Sequence, residues 1–183
     1  MEAIKALATF DHQDVIPVLI QALNDDDSQV RVEVIKALES FEIAQLIAIE
    51  EKVLNDENCA VRRSYFETIK KFDSEYVVPI LSQIIEDSSQ KLPKILSNHE
   101  LDSVDNEEWF LFRDAVIELV KIGSENSIAI LHNLLQSEEE LIHALAAFQL
   151  WELNLIDKDT LVTALLNLFI IIIRVYVQQP LKA

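Results

Sequence analysis

An all-α solenoid of stacked helix pairs is the fold class this sequence predicts. Three observations predict it: almost no glycine, an internal repeat of 31 residues, and apolar positions spaced for helices within each repeat. The 183 residues include one glycine, Gly123, and four prolines, and half are hydrophobic. Sheets, hairpins and phosphate loops spend glycine on tight turns, so helices joined by short polar turns are the remaining way to bury so much apolar surface. The length suits one domain, taken as residues 1–183.

The repeat opens at Glu2-Ala3-Ile4-Lys5-Ala6-Leu7-Ala8-Thr9-Phe10, which returns as Glu33-Val34-Ile35-Lys36-Ala37-Leu38-Glu39-Ser40-Phe41. A further step of 31 reaches Ser64 to Phe72 with Tyr65, Phe66, Ile69 and Phe72 in the apolar places. Positions i, i+1, i+4 and i+7 lie on one face of a helix. Between these helices, Val15-Ile16-Pro17-Val18-Leu19 comes back as Val77-Val78-Pro79-Ile80-Leu81. The turn Leu23-Asn24-Asp25 comes back as Leu54-Asn55-Asp56 and, more loosely, as Ile85-Glu86-Asp87. The unit is therefore helix, acidic turn, helix, short link. Two such short helices cannot cover each other's apolar faces, and stacking successive pairs buries them.

Regular repeats are expected over residues 1–87 and an insertion of roughly twenty residues over 88–108, where Ser, Asn, Asp and Glu dominate around Pro93, with a one-turn helix at Ile95 to His99. Irregular repeats are expected over 109–155, with Phe112-Arg113 in the place of Val61-Arg62. Asp157-Lys158-Asp159-Thr160 carries N-capping chemistry and opens an apolar helix over about 159–177. Its core, Leu161 to Ile173, would span about 20 Å at 1.5 Å per residue, less than the ~30 Å of a bilayer interior. Such a helix packs on its own solenoid, meets a partner or second copy, or lies on a membrane. Both ends read as uncapped, suggesting a larger array or ends covered by another chain.

Fifteen basic residues against thirty-two acidic ones give a formal charge of −17. Nucleic-acid phosphates and anionic lipid heads are poor partners for that surface, whereas a protein with a basic or mixed-charge face suits it. Cys59 is the only cysteine, so no intrachain disulfide forms and a thiolate zinc cluster is excluded. The start, Met1-Glu2-Ala3-Ile4-Lys5, lacks the basic lead and apolar core of a signal peptide, and a cytoplasmic location is the default expectation.

On these residues, Leu23 to Leu38, Leu54 to Phe72 and in part Phe112 to Gly123, the chain resembles the HEAT-like repeats, especially the short form named after phycobilisome lyases. The resemblance implies a right-handed α-α superhelix of about five helix pairs. It also implies a non-catalytic scaffold or adaptor that offers a concave helical surface to a partner, without a cofactor. A bilin lyase-like or chaperone-like accessory subunit of a pigment-attachment enzyme is the alternative within the family. The second helix of each pair would line the concave side and present Glu33, Lys36 and Ser40, then Ser64, Glu67 and Lys71. Related repeats also carry a hydrogen-bonded ladder between units, which here would comprise Asp25, Asp56 and Asp87 with Arg31, Arg62 and Arg113. Their chemistry suits it: a turn aspartate accepts helix N–H groups and an arginine fork bridges carboxylates.

Other constellations have plainer readings. Asp25-Asp26-Asp27 and Glu138-Glu139-Glu140 lack the spacing and the glycine of an EF-hand and read as a solvated edge beside helix N-termini. His99-Glu100 is the only His-Glu pair, where the metal-dependent hydroxylase branch of the family needs several, and no metal site is expected. None of His12, His132 and His143 is followed by a glutamate that would make a second such pair. Cys59 would need a base arranged beside it to act as a nucleophile; at an ordinary repeat position in the turn Asn58-Cys59-Ala60 it reads as a buried or half-buried thiol. Trp109, in the aromatic run Trp109-Phe110-Leu111-Phe112, packs in the core or anchors a partner.

Overall fold

A computed structural model of the chain describes residues 15–97 and 107–177, with side chains described over 15–90 and 108–170. The opening helix read at Glu2–Phe10, His12 and the His99-Glu100 pair lie outside the described residues.

Among the described residues there are ten helices and no strand. In chain order they are α1 (Val15–Ala22), α2 (Ser28–Leu38), α3 (Ile43–Ala48), α4 (Glu50–Leu54) and α5 (Cys59–Ile69), followed by α6 (Ser74–Ser97), α7 (Glu107–Ile122), α8 (Glu125–Leu134), α9 (Glu140–Glu152) and α10 (Lys158–Val177). They pair as α1/α2, α3–α4/α5, α6/α7 and α8/α9, and α10 lies against α9. The second helices α2, α5, α7 and α9 also pack on one another in sequence, so the chain is an all-helical solenoid.

The local chemistry repeats with the sequence. Asp27 caps α2 by accepting the Gln29 N–H at 2.8 Å, and 31 residues later Asn58 caps α5 by accepting the Ala60 N–H at 2.9 Å. Ser124 and Asp157 do the same for α8 and α10, taking the N–H groups of Ser127 and Thr160. Gly123 closes α7 with φ +61°, the left-handed conformation in which a side chain would be strained, and its N–H reaches the Leu119 carbonyl at 3.0 Å.

Burial gives the register across the insertion. In α5 the buried positions Val61, Tyr65, Phe66 and Ile69 recur in α7 at Leu111, Ala115, Val116 and Leu119, an offset of 50. That is one repeat of 31 and an insertion of 19. The same set recurs in α9 at Ile142, Ala146, Ala147 and Leu150, once more 31 residues on. Residues 109–155 therefore resume the regular period. The offset also corrects the expected alignment by one place: Phe112, fully buried, and not Arg113, takes the position of Arg62.

The insertion begins as helix. After Asp87, where a turn is expected, α6 runs on through Pro93 to Ser97. The apolar spacing explains this, because Leu81, Ile84, Ile85, Ser88, Leu92 and Ile95 continue one helical stripe. The turn-like cluster Ser88-Ser89-Gln90 is overridden by Ser88, which is buried within that stripe.

The first helix of the second pair is broken, with α3 ending at Ala48 and α4 starting at Glu50. Leu19 and Leu81, one repeat either side of Glu50, are fully buried. A carboxylate at that core position is costly. The break at Ile49 (φ −106°, ψ −1°) lets that isoleucine fill the core instead.

Candidate functional site

Two surfaces collect the side chains singled out by the repeat: the turn edge and the ridge formed by the second helices.

At the turn edge, Arg31 is anchored within its own repeat through Nη1, which donates to the backbone carbonyls of Asp25 at 2.8 Å and Asp26 at 3.2 Å. Its other nitrogens cross to the next repeat and form a two-pronged bond with Asp56, Nε to Oδ2 at 2.7 Å and Nη2 to Oδ1 at 2.9 Å. Asp56 Oδ1 also accepts the Asn58 N–H, fixing the turn before α5. Burial disfavours the Asp56 carboxylate, but the Arg31 fork and the Asn58 N–H outweigh it and hold the group below the usual carboxylate range. The same bond, against some desolvation, raises the already high Arg31 value. Asp25 plays the corresponding turn role one repeat earlier, its Oδ1 accepting the Asp27 N–H at 2.9 Å.

Arg62 repeats the arrangement halfway. Its Nη1 donates to the Asp56 carbonyl, as the register demands. The acid it meets is Glu108, at the start of α7. Asp87 lies inside α6 and accepts a bond from Gln83, one helical turn away. Glu108 is buried, and its second oxygen accepts the Ser88 hydroxyl at 2.8 Å, so one carboxylate ties α5, α6 and α7 together. Arg113, displaced by one place, is half-exposed; it pairs with adjacent Asp114 at 2.8 Å and lies over the Phe110 ring. Glu108 was absent from the sequence expectation. The signal was available: an arginine buried in a core repeat needs an acid, and Glu107-Glu108 is the first acidic pair of the next second helix.

Along the ridge most of the predicted contact residues are engaged within the chain. Lys36 pairs with Glu33, Lys71 just after α5 crosses to Glu39 just after α2, and Lys70 pairs with Glu67. Ser40 donates to the Ala37 carbonyl, and Ser64 is buried. Arg63 of α5 reaches Asp114 of α7 at 2.9 Å. Trp109 is half-buried, stacks on Phe112 at 5.8 Å and packs on the main core. The exposed aromatic pair is elsewhere: Phe148 and Trp151 of α9, ring centroids 6.4 Å apart and 40% and 42% exposed. Nothing in the alanine-rich run of α9 distinguished its outward aromatics from inward ones.

Counted by repeat, Lys36, Glu67, Ile117 and Phe148 form one row along the ridge, and Glu39, Lys70, Val120 and Trp151 form its neighbour. Both rows change from charged in the first two pairs to apolar in the last two. Over α2, α5 and α7 the outward charges balance: Glu33, Glu39, Glu67, Asp114 and Glu118 stand against Lys36, Arg63, Lys70, Lys71, Arg113 and Lys121. This part of the ridge thus carries none of the acid excess of the whole chain, whereas α9 adds Glu140 and Glu152 without a lysine or arginine.

Cys59 is half-buried at the first position of α5. No helix among the described residues is long and apolar enough to cross a membrane.

Compared with known families, residues 1–49 match the model described as HEAT repeats. No curated protein matches the chain. The match covers the first 49 of 183 residues and supports a HEAT-like repeat there; the stacked pairs and the recurring 31-residue register carry the same kind of helical repeat through the rest of the described chain.

Proposed function

We propose that the chain is a protein-interaction solenoid that engages a mixed-charge protein surface along its second helices, without catalysing a reaction itself. HEAT repeats commonly mediate protein–protein contacts, which is the general ground for the reading. The observation that carries it is the balanced row of charges on α2, α5 and α7. Cross-helix pairs such as Lys71–Glu39 and Arg63–Asp114 hold those charges at repeat spacing. Exposed pairs of this kind contribute little to folding, but a fixed lattice of alternating sign discriminates between partners by charge register. The acidic turn edge around Asp26 and Glu57 faces elsewhere and contributes long-range attraction to basic groups.

The test is capture of partners from lysate by the full chain, followed by quantitative binding of the principal one. Lys36→Glu and Glu67→Lys are each expected to weaken binding at least fivefold with unchanged helix content. Asp26→Asn and Glu57→Gln are expected to alter mainly its salt dependence. Equal binding by all four variants would sink the reading.

A further inference from the structure

We infer that the outer face of α10 is the contact through which two copies of this chain associate, with their α10 helices antiparallel across a twofold axis. The reasoning does not depend on the ridge binding another protein.

Comparison with α8 isolates the feature. Ser124 and Asp157 cap α8 and α10 in the same way, each bonding the N–H three residues on, so the helices align at an offset of 33. Leu131 then corresponds to Ala164, both fully buried, and the inward stripe of α10 is Leu161, Ala164 and Leu168. Outward positions of α8 and the turn after it are Ala129, His132, Asn133 and Gln136. Their counterparts on α10 are Val162, Leu165, Leu166 and Phe169, followed by Ile170, all 40–58% exposed. Where α8 meets water with polar groups, α10 presents branched and aromatic ones.

Those five side chains fall at i, i+3, i+4, i+7 and i+8, the stripe with which one helix packs along another. The stripe has neighbours. Ala147 of α9 packs on Leu161 and Ala164. Phe148 and Trp151 of α9 turn from that contact in the same rotational sense as the α10 stripe turns from its own, and Leu155 is exposed in the link between the two helices. Two helices joined by a short link run antiparallel, so the two sets lie on one side of the pair. With full surfaces of ~150–250 Å² for large apolar side chains, the eight exposures add up to about 700 Å². The largest apolar patch of a typical monomer is ~300–600 Å². Two such faces together bury about 1,400 Å², within the ~1,200–2,000 Å² of specific complexes.

The occupant follows from chemistry and symmetry. Between Asp159 and Arg174 no residue of α10 is ionisable, so the α10 part of the face gives a charged partner nothing to pair with, and Glu152 of α9 stands at its edge. A second α10 offers the same uncharged stripe. A twofold axis across the helix makes the two copies antiparallel, which is how the paired helices of every repeat already lie. Leu166, at the middle of the stripe, then falls beside its own symmetry mate. The remaining obstacle is repulsion between two chains of charge −17, and salt screens it. Self-association therefore strengthens with ionic strength, the opposite of a salt-weakened contact with a basic protein.

The experiment is sedimentation velocity on the full chain from about 1 to 100 μM, in 0.05 M and 0.5 M NaCl. A reversible monomer–dimer equilibrium is expected, at least threefold tighter at the higher salt. Leu166→Glu and Phe169→Glu, at exposed positions, are expected to give monomers with unchanged helix content by circular dichroism. In a Cys59→Ser background, Leu166→Cys is expected to form a disulfide-linked dimer under mild oxidation, and Glu86→Cys is not. A monomer at every concentration and salt overturns the inference. So do open-ended oligomers without a dimer plateau, or a monomer that instead binds phosphatidylcholine vesicles through Leu166 and Phe169.

Discussion

The Arg62 guanidinium of α5 bonds the Glu108 carboxylate of α7 across 46 residues of sequence, in the place where the repeat alone would pair it with Asp87. The preceding rung, Arg31 to Asp56, spans only 25 residues. The acid has moved with the insertion: once α6 continues past Asp87, no turn remains there to aim a carboxylate at α5, and the start of α7 supplies one.

Removing that carboxylate leaves a buried arginine without its counter-charge. Glu108→Ala is expected to cost about 3–5 kcal/mol, and Asp87→Ala less than about 0.5 kcal/mol. Urea unfolding of both variants at pH 7 checks this, and equal losses would mean that Glu108 is not what holds Arg62.

Asp56 carries a pH dependence whose sign can be worked out. Its folded value is depressed, so on acidification the unfolded chain takes up the proton first. The contribution is complete above the unfolded carboxylate range, about pH 4, and is lost as pH falls through the depressed value. Asp56→Asn should cost about 2 kcal/mol at pH 7 and flatten the acid limb of stability against pH. Thermal melts between pH 3 and 7 measure both.

Glu50 has the opposite sign. Burial pushes its carboxyl up, so its ionisation opposes folding; stability is highest below the unfolded value and falls as pH rises through the folded one. The nearby Tyr65 phenol, buried and donating to the Leu46 carbonyl at 3.1 Å, is pushed far above its ordinary value by burial and then by the charge of Glu50. Since Leu19 and Leu81 occupy the equivalent places, Glu50→Leu should stabilise by about 1 kcal/mol at pH 7. The gain should shrink towards pH 4, as denaturant melts at the two pH values would register.

The two tryptophans separate core from surface. Trp109→Ala removes a ring stacked on Phe112 within the main core and should cost about 3 kcal/mol. Trp151→Ala touches a 42% exposed ring and should cost less than about 1 kcal/mol while weakening self-association. Chemical denaturation and sedimentation of the same two variants decide it.

Much of the architecture was legible because helix burial is periodic and the repeat kept its apolar positions. Val61, Tyr65, Phe66 and Ile69 could be found from Val30, Val34, Ile35 and Leu38 by counting alone. Capping was equally plain, since Asp157 before Thr160 reads as a helix start from side-chain chemistry. Identity of residue type misled where pattern would not have. Arg113 resembles Arg62 as a letter, but the apolar stripe puts Phe112 in that place. Pro93 and the serines suggested a loop, whereas the stripe through Ser88 carried the helix on. Partner choice in ion pairs was out of reach, because whether Arg62 finds Asp87 or Glu108 depends on how far α6 extends.

That extension has a structural consequence. Ser88 of α6 stands opposite Glu108 near the beginning of α7, so the nine residues from Ser89 to Ser97 overshoot the partner helix by about 13 Å at 1.5 Å per residue. At the base of that overshoot, Ser88, Glu108 and Arg62 join α6, α7 and α5, so the insertion leaves the stack where a buried ion pair seals the seam between the second and third repeats.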